Sequence, residues 1–210
     1  MFKIFEISAN ILLFINFILF LLRFNKENKA YKIYTIYLGV IVAVQITLKS
    51  FIYFGYENLV LSHAYFCGQF IMLSLFYLEL LKEKYQQQII KWNLGITISV
   101  VVLSFSLNPS SLFNYNPIEI LFTSISLIVY STFHFYNMLS NKKEFYYINC
   151  GILIYLFGST VTFLPRNLHY KFDFSFDNIL QSLNIGLYIT YLILVFIEWY
   201  KLNFRSLDEK

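Results

Sequence analysis

The chain predicts an all-α polytopic membrane protein, a seven-transmembrane-helix bundle with its N-terminus outside and its C-terminus in the cytoplasm. Three observations carry this expectation. The 210 residues are 58% hydrophobic, 21% aromatic and 13% charged, with a mean hydropathy of +0.60, which is too apolar for a soluble domain. The apolar residues come in seven blocks, each long enough to cross a hydrocarbon core of roughly 30 Å. Finally, Lys and Arg are divided unequally between alternate connections.

The spans are expected at about 4–22, 33–54, 59–81, 89–106, 117–139, 145–164 and 178–200, as a single domain over residues 1–210. The first has Lys3 before it, Glu6 and Asn10 within it and no small-residue cleavage pattern after it, so it reads as an uncleaved helix. The second contains Lys49, the one cation well inside a span, and the third contains His63 near its start and Glu79 near its end. Trp92 begins the fourth and Trp199 ends the seventh, both at predicted cytoplasmic interfaces where an amphipathic ring is comfortable. The fifth carries a polar stripe at the helical period: Glu119, Thr123, Ser126, Tyr130, His134 and Asn137. The seventh carries another, Asp177, Gln181, Asn184, Tyr188, Tyr191 and Glu198, interrupted only by Val195. In hydrocarbon such stripes must face protein or a hydrated cavity, and the two are expected to face a common interior. Cys67 and Cys150 lie at different predicted depths, so no disulfide is expected.

Orientation follows from the connections. One alternate set, with the C-terminal tail, holds 12 of the 16 basic residues: four in 23–32, three in 82–91, two in 140–146 and three after 200. The other set holds Lys3, Lys49, Arg166 and Lys171. The net charge of +4 is thus accounted for by topology, with the lipid bilayer as partner and no nucleic acid implied. Lys, Asn, Ile and Phe richness points to an AT-rich genome, and on that basis to a bacterial cytoplasmic (inner) membrane.

A faint internal repeat is also readable. Phe5-Glu6-Ile7 matches Ile118-Glu119-Ile120, Gly39-Val40-Ile41 matches Gly151-Ile152-Leu153, and Glu79-Leu80-Leu81-Lys82 matches Glu198-Trp199-Tyr200-Lys201. This fits a 3+1+3 plan of two parallel three-helix units joined by the fourth span. Local electrostatics also favours Glu at helix starts and Glu before Lys, which supplies a second origin for the similarity.

The polar residues divide into two groups. Glu6, Asn10, Lys49, His63, Glu119, Gln181 and Asn184 should lie within roughly 10 Å of the outer interface at about 1.5 Å per residue, and form an outward-facing, ligand-binding polar pocket. Lys49 either snorkels to headgroups or pairs with Glu6, Glu119 or an anionic ligand. Glu79, His134, Asn137 and Glu198 lie toward the inner face and are expected to couple the pocket to a partner, the two glutamates through ion pairs with the Lys three residues on. The connection Lys171–Asp177 alternates aromatic and polar residues and, if extended, would act as an anchor or lid.

Enzyme readings are disfavoured. No HExxH, GxSxG or phosphate-cradling motif occurs, and His63, His134 and His169 are too far apart along the membrane normal for one metal site, so neither metal nor cofactor is expected. All connections are short, which leaves no room for a soluble catalytic domain. A retinal protein of the microbial rhodopsin kind needs a lysine in the seventh helix, and residues 178–200 contain none. A SWEET-type sugar transporter shares the three-one-three plan but should have prolines within helices, whereas Pro109, Pro117 and Pro165 are expected in connections or at a span's edge.

The expected function is therefore a membrane sensor or signalling component. A small molecule or lipid would enter the outer pocket, and a protein partner in the membrane or at the cytoplasmic face would read the result. The alternatives are a transporter or channel for a small polar or anionic solute, and a membrane-embedded docking subunit. A conduit needs a hydrated route to Glu198; a sensor needs a cavity closed below Tyr188 and Tyr130.

Overall fold

The computed structural model describes residues 2–56, 58–113, 116–140, 143–168 and 174–208. It is all-helical: α1 (Phe2–Leu22), α2 (Lys29–Phe54), α3 (Leu59–Leu80), α4 (Lys84–Leu107), α5 (Pro117–Met138), α6 (Tyr146–Leu168) and α7 (Phe174–Asp208), with a short 3-10 turn at Pro109–Phe113. All seven α-helices are long and apolar enough to cross a membrane, so the chain is a multi-pass membrane protein by length and composition.

Helix ends follow local chemistry. Asn28 accepts from Tyr31 N at 2.9 Å and opens α2, four residues before the expected start, so that Lys29 and Lys32 join the helix. The same helix stops at Gly55, whose φ of 75° sends its N–H back to Ile52 and Phe51 carbonyls. Asn116 accepts from Ile118 N and Glu119 N, and Pro117 occupies the first turn of α5, where no donor is missed.

Two elements differ from expectation. The tail after residue 200 is helical to Asp208, because nothing in Lys201–Asp208 breaks the run. α6 passes through Pro165 to Leu168, and α7 begins at Phe174. Helix from Phe174 replaces the extended alternation expected across Lys171–Asp177; residues 169–173, His169 included, lie outside the described residues.

α1, α2, α3, α5, α6 and α7 form a closed ring in that order, since each packs on the next and α7 returns to α1; α4 packs outside it, on α3, α5 and the 3-10 turn. Cross-helix bonds set the directions. Asn16 Nδ2 donates to Leu192 O and Trp199 Nε1 to Leu19 O, both at 2.9 Å, tying α1 parallel to α7. Small residues allow close approach: a Cβ on Gly151 would stand 2.9 Å from Tyr191 Cδ2, and one on Gly158 2.4 Å from Leu187 Cδ1. Aromatic side chains fill the ring interior. Tyr31, Tyr34, Tyr37, Tyr77, Tyr130, Phe20, Phe70 and Phe76 are fully buried, and such hydroxyls need partners there. Outside the ring, α4 and α5 leave an apolar groove walled by Trp92, Ile96, Phe122 and Ile125, with Asn93 and Ser126 at its base.

Candidate functional site

The end of the bundle where α1 begins holds a cavity of about 230 Å³ between α1, α2, α3, α6 and α7. Helical spacing brings each element to it. Glu6 and Asn10 are one turn apart on α1, Asn184 and Tyr188 one turn apart on α7, and Tyr65 sits one turn below Ser62 on α3. Gln45 comes from α2, Tyr155 from α6, and Phe66 and Phe163 complete the walls. Lys49 forms an ion pair with Glu6 from the side; both side chains are about half exposed, at 47% and 46%.

Two buried polar atoms of lining residues have no hydrogen-bond partner, Asn184 Oδ1 and the Tyr188 hydroxyl. A buried polar atom without a partner is costly, and costlier in a membrane interior. Both belong to residues that line the cavity, although the two atoms themselves are covered.

The floor is aromatic. Tyr65 and Tyr155 hydroxyls meet at 3.2 Å, and the Tyr155 ring lies 5.4 Å from Tyr188 and stacks on Tyr191 at 5.7 Å. One turn deeper, Tyr34 and Tyr191 hydroxyls bond at 2.6 Å, and Gln69 Nε2 donates to Tyr37 at 3.3 Å. Leu192, Val195 and Phe76, all at 0% exposure, fill the space beyond.

A second cluster lies at the same end but elsewhere in the ring. Glu119, at 0% exposure, pairs with His63 Nδ1 and accepts from Cys67 Sγ at 3.3 Å. The His63 ring meets Phe105 edge-on at 4.9 Å, and its Nε2 is buried without a partner. The seven outer residues expected in one pocket are thus distributed three ways. Glu6, Asn10 and Asn184 line the cavity with Lys49 beside it; His63 and Glu119 form the closed pair; Gln181 is exposed and lines neither.

The four residues expected to couple the opposite end each join separate elements. Glu79 pairs with Lys29 of α2 rather than with Lys82. Glu198 accepts from Tyr147 N at the start of α6 at 2.6 Å, while Lys201 bonds the Tyr147 hydroxyl. Neighbouring helix termini offer these groups partners in better reach than the residue three positions on, so the expected intrahelical pairs do not form. His134 Nε2 is 2.9 Å from Glu144 O, and Asn137 exchanges bonds with Gln86 of α4.

The two polar stripes share the ring interior only in part, through Tyr130 and Tyr191, which both belong to the buried core. The α5 stripe faces α3 and α4, with Ser126 bonding Asn93, whereas Tyr188 and Tyr191 of α7 face α2 and α6; α6 stands between the two helices. Because α4 sits outside the ring, it takes up Ser126 and Asn137 of the α5 stripe. Sequence reasoning also missed Tyr65, Tyr155 and Gln45. The signal for the two tyrosines was an excess of that residue, 18 of 210, in spans where each hydroxyl needs a partner; Gln45 carried none.

These features define a multi-pass helical membrane protein with a cavity of mixed polar and aromatic lining at one end of the bundle. Compared with known protein families, with curated proteins and with solved structures, the chain matches none of them.

Proposed function

We propose that the protein is a non-enzymatic membrane sensor that binds a small molecule in the Glu6-end cavity and passes its state through the bundle to a separate partner. The observation that carries this reading is the cavity's closure. Asn184 and Tyr188 in its lining each carry a polar atom without a partner, yet beyond the tyrosine floor the path toward Glu198 is filled by Tyr34, Tyr191, Leu192 and Val195, each at most 2% exposed. A conduit needs a hydrated route in that place.

In this reading the Glu6 end faces outside and the basic ends of α2 and α4 face the cytoplasm of a bacterial inner membrane, as the distribution of Lys and Arg favours. The 3+1+3 plan fits the ring, in which exchanging α1, α2 and α3 with α5, α6 and α7 preserves every helix–helix contact within the ring. It also fits the ends of α3 and α7, where Glu79 and Glu198 each reach back to the start of the preceding ring helix. The output route is the chain of contacts from Tyr188 through Tyr191 and Tyr34 to Phe76, Tyr77 and Asn149, with the Tyr77 ring reaching the His134 ring at 6.3 Å.

Solute and proton flux in proteoliposomes tests this, using wild type, Lys49→Ala and Glu198→Gln. The expected result is no flux above empty vesicles for any of the three. Flux in the wild type that both substitutions abolish would overturn the sensor reading in favour of transport.

A further inference from the structure

Building on the sensor reading, we infer that the cavity takes a small primary organic ammonium, with Glu6 as its counter-ion and tyrosine rings around its carbon chain. Four observations converge on this chemistry. Among the described lining residues, Glu6 alone carries a charge. Asn184 lines the cavity and its Oδ1 has no partner, so its amide has acceptor capacity that an N–H or O–H donor would satisfy. A carboxylate or phosphate ligand would face the like charge of Glu6.

The walls add a third contribution. Tyr65, Tyr155, Tyr188, Phe66 and Phe163 surround the space with aromatic rings, and a cation near ring faces is attracted by the ring quadrupole. Lys49 supplies the fourth. Its Nζ is itself an alkylammonium seated on Glu6, so the carboxylate already accepts the chemistry proposed. Its side chain is 47% exposed, and its flexible stem allows it to swing to the headgroup region when displaced. Lys49 is thus a tethered competitor. The ligand replaces it on Glu6, in a space that Asn184 and Tyr188 help to line.

The test is calorimetric titration of propylammonium, propanol and propionate into the protein in zwitterionic nanodiscs, with wild type, Glu6→Gln, Lys49→Ala and Asn184→Leu. Propylammonium should bind, with propanol and propionate weaker by about tenfold or more, on the order of one charge-assisted contact. Glu6→Gln should cost the amine a similar factor of about ten, and Lys49→Ala should strengthen it severalfold, because the internal competitor is gone. A merely structural role for Lys49 predicts no gain. Retained helicity and an unchanged melting midpoint in each variant establish that folding is intact.

Absence of amine binding, equal binding of propanol, or weaker amine binding in Lys49→Ala would overturn the inference. Propanol or propionate binding that Asn184→Leu abolishes would overturn the ammonium class and leave the sensor's pocket standing. Amine-driven flux would do the reverse, refuting the sensor and keeping the ligand class.

Discussion

Glu6 and Glu119 stand near the starts of α1 and α5 at the same end of the bundle, and each meets a basic side chain from a neighbouring helix. The Glu6–Lys49 pair is about half exposed, at 46% and 47%, and borders a cavity; the Glu119–His63 pair, at 0% and 9%, is enclosed by α3, α5 and Phe105. The same local chemistry has therefore been put to two uses. A half-exposed pair gains little net free energy and is exchangeable. A buried pair is costly to break, because the surviving partner remains in the interior without compensation.

The largest effect should come from opening the closed pair. Glu119→Ala strands His63 and Cys67 and is expected to destabilise by about 3–5 kcal/mol, read from denaturant unfolding in a fixed detergent. A loss no greater than that of Glu6→Ala would erase the distinction between the pairs. Next comes the α6–α7 packing beneath the cavity floor. Gly151→Ala places a Cβ 2.9 Å from the Tyr191 ring and 3.4 Å from its Cα, so α6 and α7 must separate, at about 1–3 kcal/mol by the same measurement.

Tyr34→Phe removes the 2.6 Å bond to Tyr191 beneath the cavity floor. A buried hydroxyl bond between membrane helices is worth about 1 kcal/mol, so a small drop in the unfolding midpoint is expected, with no gain of flux. New flux in this variant would show the tyrosine floor to be a gate. Smallest is the open pair: Glu6→Gln should alter stability by less than about 1 kcal/mol, and any difference should vanish in high salt. A larger, salt-resistant loss would show that this pair too is a fixed part of the bundle.

The same contrast explains how much could be read in advance. Glu6, Lys49, His63 and Glu119 all register as polar groups near one end of their spans, since depth along a helix follows from counting residues at a constant rise. Counting does not tell which helix lies beside which. Asn10 and Asn184 meet across one cavity only because α1 packs on α7, and His63 reaches Glu119 because α3 packs on α5. Gln181 shares the α7 stripe with Asn184, yet it is exposed; it lies about one turn nearer the helix start, and periodicity continues where protein neighbours end.

Seven apolar helices, their approximate limits and the stripes on α5 and α7 were legible in the order of residues alone, because bilayer thickness and helical period are constants independent of how the helices assemble. The placing of α4 outside the ring, the separation of the two carboxylate pairs and the tyrosine floor were not. Each depends on which helix faces pack together, and between helices in lipid that choice rests on small residues, shape and hydrogen bonds distributed over distant parts of the chain. Glycine at 151 and 158, for instance, signals only a close approach; that the approaching helix is α7, carrying Tyr191 and Leu187, is settled when the ring closes.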